Sequence, residues 1–205
     1  MSTELPSDAF ELRHAATDRA TIVVVPERRM FAIDGLGDPH ASDFVFASQT
    51  LRSADEVLRA RLAREHRAKT LPGALECAWW THPEPPSEDL AHAFADRSTW
   101  HWQQMMAIAP QATAEDAAAA LDEARTGAGR AAPLVRIIRL AEGRSAQILP
   151  VGGPATQLRS VHALYEAVAA AGLRPHGHIH EIRTADHERV PDARARSILR
   201  LPIES

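Results

Sequence analysis

Apolar residues recur at two different periods along this chain, and each switch of period marks an element. Ile22-Val23-Val24-Val25 is a β-branched run closed by Pro26, and Met30 to Ile33 resumes as a short apolar piece, so both read as strands. Asp34-Gly35-Leu36-Gly37-Asp38-Pro39 is turn chemistry. From residue 42 to 66 the spacing lengthens. Phe44, Ala47, Leu51, Ala54, Leu58 and Leu62 fall every three or four residues, which predicts a long helix with Ser42 as its N-cap. Its Arg52, Asp55, Glu56, Arg59 and Arg61 form the solvated side. Leu71-Pro72-Gly73 breaks the pattern. Residues 74–80 and Trp100 to Ile108 then read as strands, separated by a Pro83-Glu84-Pro85-Pro86 loop, the second strand stopped by Pro110.

The second half repeats this order. Thr113-Ala114-Glu115-Asp116 is a capping-box signature opening an Ala-rich helix. With only Leu121 as a large apolar residue, that helix is expected to be thin and peripheral. Leu134 to Leu140 and Ser145 to Val151 are strands around a Glu142-Gly143 turn. Residues 154–171 form a helix with Leu158, Val161, Leu164, Tyr165 and Val168 inward, and Gly172-Leu173 suits a Schellman stop. His176 to Thr184 and Ser197 to Leu201 complete the strands. Two hairpin-helix-hairpin halves point to an internal duplication. The fold class is α+β, with helices on one face of an antiparallel sheet.

Bulk properties narrow the function. A chain of 205 residues fits one domain, here 1–205, with module one at about 20–110 and module two at about 111–205. Net charge of −4 argues against a nucleic-acid footprint, which would need a basic stripe. The single cysteine, Cys77, rules out an internal disulfide framework. No apolar run approaches the roughly 20 residues of a membrane span, and no secretory signal is visible. A cytoplasmic protein without nucleic-acid or membrane partners, as monomer or homodimer, is the expectation.

Chemistry concentrates in three short clusters. All four tryptophans lie in two of them, Glu76-Cys77-Ala78-Trp79-Trp80 and Trp100-His101-Trp102; the third is His180-Glu181-Ile182. Strand alternation places Glu76 and Trp80 on one face and Trp79 on the other, and gives Trp100 and Trp102 a shared face. It likewise sets Glu181 beside Ile179 and Arg183. Large π faces next to carboxylates suit a flat or cationic organic ligand. The competing readings are tryptophans that fill the core and glutamates on a solvated sheet face. His176, His178 and His180 alternate along one strand. They would span about 13 Å, too far for all three to reach one zinc ion, so no metal or other cofactor is expected. Cys77 reads as a buried structural thiol, and no Gly-x-Ser-x-Gly elbow is present.

These clusters, taken in order, carry a family likeness. Pro26-Glu27, Phe31-Ala32-Ile33-Asp34-Gly35-Leu36-Gly37-Asp38-Pro39, Leu75-Glu76-Cys77-Ala78-Trp79-Trp80, Trp100-His101-Trp102 with Met106, and His180-Glu181-Ile182 leading to Ile198-Leu199-Arg200-Leu201-Pro202-Ile203 resemble the GyrI-like small-molecule-binding family. The resemblance runs from about residue 20 to the C-terminus. It implies two strand-helix-strand-strand modules related by a pseudo-twofold, with a central ligand cleft, and a ligand that is a hydrophobic or cationic aromatic small molecule. The Glu-x-x-Trp-Trp and Trp-x-Trp pieces resemble a stand-alone subgroup that hydrolyses electrophilic cyclopropane compounds, a detoxification role. Carried over, Glu76 and Glu181 would be the catalytic carboxylates, and Trp79, Trp80, Trp100 and Trp102 would bear on the cleft walls.

The chain departs from the family pattern at Arg183, where a tyrosine is common. Pairing of Arg183 with Glu181 would weaken that carboxylate as a base, which makes Glu76 the preferred candidate and Arg183 a ligand-site residue. Two functions of different class follow: a hydrolase using carboxylate-assisted water attack, or a non-catalytic module that binds or sequesters drugs. A gyrase-inhibitor-like partner-binding role is a third.

Overall fold

The computed structural model describes residues 16–65, 70–82, 96–127, 134–150, 157–183 and 197–204. The expected Pro83–Pro86 loop, residues 154–156 of the third helix, and Thr184 lie outside these. In chain order the elements are β1 (Thr21–Val25), β2 (Arg28–Leu36), α1 (Ser42–Arg64), β3 (Leu75–Trp80), a 3₁₀ turn (Arg97–Thr99), β4 (His101–Ala107), α2 (Ala114–Gly127), β5 (Arg136–Leu140), β6 (Gly143–Ile148), α3 (Gln157–Ala170), β7 (Arg174–Pro175), β8 (Ile179–Arg183) and β9 (Ser197–Glu204). The class is α+β, with antiparallel strand pairing and helices packed on the sheet. The chain forms two compact units. One takes residues up to Glu27, Ala78–Arg97 and Ala141 onward; the other takes Arg28–Cys77 and Ser98–Leu140.

Each unit contains the same strand-helix-strand-strand order. In β2-α1-β3-β4 the last strand lies between the other two, and in β6-α3-β8-β9 it does so again. Each module carries one extra edge strand. β1 pairs antiparallel with β6, with Thr21 opposite Gln147 and Val25 opposite Gly143. β5 pairs antiparallel with β2, with Met30 opposite Ile138. The hairpins expected from sequence, β1 with β2 and β5 with β6, are therefore not formed. The links Pro26-Glu27 and Ala141-Glu142 lack the Asn-Gly or Asp-Gly chemistry that closes a two-residue hairpin. Neighbours in sequence instead fall in different units.

In the unit begun by β2, Phe44, Ala47, Leu51, Ala54, Leu58 and Leu62 of α1 are all buried, as their spacing requires. Burying each of the large side chains contributes about 1.5–3 kcal/mol. Helix α1 starts one residue earlier than its expected cap: Ala41 is the N-cap and Ser42 lies in the first turn. Asp55, expected on the solvated side, is buried and accepts from Arg59 Nε at 2.9 Å and the Gly73 amide at 3.4 Å. The capping box of α2 forms reciprocally: Thr113 N and Oγ1 donate to Asp116 Oδ2, and Asp116 N donates to Thr113 Oγ1. Helix α2 is not peripheral. Ala117, Ala120, Leu121 and Ala124 are buried and α2 packs on α1, because alanines let two helices approach closely.

Gly35 is a packing requirement in the same unit. A Cβ there would lie 2.0 Å from Cζ2 of the Trp102 ring, and Trp102 is itself held edge-on against Phe44 at 5.1 Å. Gly35→Ala is expected to destabilise the protein by about 1–3 kcal/mol through overpacking, read as a lowered urea midpoint with an unchanged m-value. An unshifted midpoint would show that the indole can move.

In the other unit, Val161, Leu164 and Val168 of α3 pack on Ala146, Ile148, Ile179, Leu199 and Leu201, so α3 covers one face of β6, β9 and β8. The helix ends in the expected Schellman motif. Gly172 has φ +69°, Leu173 N donates to Val168 O, and Gly172 N donates to Ala169 O. The strand expected from His176 to Thr184 is interrupted. β7 pairs with β9 at Arg174–Glu204, whereas β8 pairs at His180–Arg200, so the chain accommodates two extra residues between them. Gly177, at φ +114°, supplies the left-handed backbone this needs.

Candidate functional site

The two glutamates singled out in the sequence sit in separate hydrogen-bond clusters, one in each unit. Glu76 on β3 is fully buried, and its two carboxylate oxygens each accept from Arg28, Nη1 to Oε1 and Nη2 to Oε2, both at 2.8 Å. This is the bidentate guanidinium–carboxylate fork, the strongest common ion-pair geometry. Arg28 begins β2, so the pair also ties two strands of its module together.

Glu181 on β8 is buried on the face that α3 covers. It is surrounded by neutral donors. Trp79 Nε1 donates to Oε2 at 3.2 Å, Ser197 Oγ donates to Oε1 at 2.6 Å, and Gln157 Nε2 approaches Oε1 at 3.5 Å. The cluster follows from register. Arg183 lies opposite Ser197 and Glu181 opposite Leu199, so Ser197 and Glu181 share a face of the β8–β9 pair, and Gln157 opens the helix above it. Trp79 thus enters as a hydrogen-bond donor to Glu181. Arg183 stands half-buried at the end of β8.

The remaining tryptophans divide. Trp80 is half-buried and stacks on His178, with ring centroids 4.6 Å apart and planes 13° from parallel. Trp102 is buried against Phe44 and Gly35. Trp100 is half-buried, and its carbonyl accepts from the Gly37 amide at 2.7 Å. The three histidines also go separate ways: His176 to Glu204 at 3.5 Å, His178 to Trp80, and His180 to Glu142. Among the described residues, no group of three or more His, Cys, Asp or Glu side chains is placed to hold a metal ion.

Sequence reasoning missed four participants. Ser197, Gln157 and Arg28 carry no motif; only strand pairing and helix docking bring them to the glutamates. The fourth feature is a buried polar row on the sheet face away from α3. Register places Gln147 opposite Arg200 and Arg200 opposite His180. Arg200 Nη1 donates to Glu142 Oε2 at 3.0 Å and Nη2 to Gln147 Oε1 at 3.1 Å, while His180 Nδ1 meets Glu142 Oε1 at 2.8 Å. All four side chains are buried. The strand spacing of Arg200 and Leu201, polar then apolar, was the available signal.

This architecture defines an α+β protein of two strand-helix-strand-strand modules with an acidic, tryptophan-bearing sheet. Several solved structures share the fold. An uncharacterised conserved protein from Listeria innocua superposes with a TM-score of 0.82 at 23% identity, covering 95% of this chain and 96% of the other. A hydrolase from Listeria innocua gives 0.78 at 22% identity with the same coverage. The C-terminal domain of EcmrR gives 0.56 at 9% identity over 91% of this chain and 98% of that one. No protein-family model matches the sequence, and neither does any curated protein.

Proposed function

We propose that this protein binds a flat hydrophobic or cationic aromatic small molecule and hydrolyses an electrophilic one by water attack assisted by Glu181. The observation that carries the reading is the environment of that carboxylate: buried, aligned by an indole N–H and a hydroxyl, and hydrogen-bonded only by neutral groups among the described residues. A carboxylate so held is not tied into an ion pair among the described residues. Glu76 is the weaker candidate, because the Arg28 fork occupies both of its oxygens and stabilises the charged form. The fold shared with a Listeria innocua protein described as a hydrolase agrees with this reading, as does the GyrI-like sequence resemblance.

The resemblance points to an activated cyclopropane as the electrophile. Water oxygen bonds to a ring carbon, and the ring C–C bond breaks with its electron pair moving to a conjugated carbonyl oxygen. The water proton passes to Glu181 and is then returned to the enolate. The net change is addition of one water, which disarms an alkylating compound. Trp79, whose indole N–H donates to Glu181, is the aromatic group on the carboxylate's side of the sheet and suits a flat ligand there.

The test is product formation from an aryl-conjugated cyclopropyl ketone by wild type and by Glu181→Gln. If wild type binds the compound without turning it over, the hydrolase reading fails and a sequestering module takes its place. Glu76→Gln discriminates between the two acids. It breaks one arm of a buried fork, so its main effect is expected on stability, a loss of about 3–5 kcal/mol, with kcat of the folded fraction within about threefold of wild type. A hundredfold fall in kcat without loss of stability would return the base role to Glu76.

A further inference from the structure

Building on that reading, we infer that Gln157 positions the attacking water on Glu181. The two oxygens of Glu181 are not equivalent. Oε2 is held by the Trp79 indole at 3.2 Å, and Oε1 by the Ser197 hydroxyl at 2.6 Å. These two bonds, one to each oxygen, fix the plane of the carboxylate. The contact from Gln157 Nε2 to Oε1, at 3.5 Å, is at the outer limit of a hydrogen bond and is the one easily exchanged.

A carboxylate oxygen has two lone pairs, and Ser197 uses one on Oε1. The other faces the Gln157 amide. Two hydrogen bonds of about 2.8 Å meeting at one water span about 4.6 Å. A retreat of the Gln157 amide by about 1 Å therefore admits a water molecule. Gln157 can make this movement, since it is half-buried at the first position of α3 and its side chain is long and flexible. The water then accepts from Gln157 Nε2 and donates to Glu181 Oε1. Its remaining lone pair is free to form the bond to carbon as its proton passes to Oε1. Gln157 is thus a positioning residue: it takes no proton and bonds no substrate atom, but it sets the direction of the nucleophilic lone pair.

Gln157→Met keeps side-chain length and removes the amide. With an aryl-conjugated cyclopropyl ketone as probe, the variant is expected to lose about 10- to 100-fold in kcat, the scale of a misplaced nucleophile, with KM within about twofold. Circular dichroism and thermal midpoint should match wild type. A wild-type kcat in Gln157→Met, measured beside a Glu181→Gln variant that has lost turnover, overturns the inference and leaves the hydrolase reading intact. A raised KM with unchanged kcat also overturns it, because it would mark Gln157 as a substrate contact. Full turnover by Glu181→Gln overturns both.

Discussion

Glu181→Gln is expected to lower kcat on an activated cyclopropyl ketone by about 10²–10⁴-fold, the range lost with a general base. Binding of the compound should change little, because the substitution keeps the size and planarity of the side chain. The hydrogen bonds with Trp79 and Ser197 also survive. A glutamine at 181 can present its oxygen to Trp79 Nε1–H and its amide to Ser197, whose hydroxyl rotates to accept. The fold should therefore hold, with a thermal midpoint within a few degrees of wild type. A fall in kcat and kcat/KM together, with KM constant, is the signature of an interaction made only in the transition state. A folded variant that turns over at the wild-type rate would remove Glu181 from the chemistry.

A large expected effect on stability lies on the other face of the same sheet. Arg200→Met should destabilise the protein by about 3–5 kcal/mol, the consequence of breaking a buried ion pair from one side. Arg200 holds Glu142 with one nitrogen and Gln147 with another, and all three are buried. Methionine fills similar space, so packing is a minor part of the loss. What remains is a buried Glu142 beside His180, and a Gln147 oxygen that has lost the Arg200 donor. Arg200→Lys should recover only part, since a compact ammonium lacks the guanidinium fork and cannot reach both acceptors in the same geometry. Adding Glu142→Gln to Arg200→Met should restore some stability by removing the charge that has lost its guanidinium, and the double-mutant cycle measures the coupling. A loss below about 1 kcal/mol in urea titration of Arg200→Met would show that the row is not structural.

This network has a consequence for topology. Glu142 lies immediately before β6, at the link where a hairpin with β5 would otherwise turn. Arg200 and His180 draw its carboxylate onto β9 and β8 instead. The acid read from sequence as part of a turn is an anchor for the start of β6. Its charge is satisfied by residues about 40 and 60 positions away, which no local pattern reveals.

Within elements, sequence was a good guide. The stripe from Phe44 to Leu62, the Thr113–Asp116 box, the Gly172 stop and the inward set of α3 all follow from local physics: side-chain period, capping groups and backbone freedom act over a few residues. The α+β class follows from the order of those elements. The strand partners did not. Which strand lies beside β1 is decided by burial and long-range hydrogen bonding, and chain proximity was a poor proxy for it.

The same division applies to the site. Residue type and alternation were enough to single out Glu76, Glu181 and the tryptophans as unusual strand residues. They could not say that Arg28 locks Glu76, that Trp79 donates to Glu181, or that Ser197 and Gln157 complete its surroundings. A carboxylate's chemistry is set by the charges and donors within a few ångströms of it. Those neighbours lie 16 to 102 residues away along the chain, so the sequence by itself determined which groups are present, and only the tertiary structure decided what each carboxylate is bonded to.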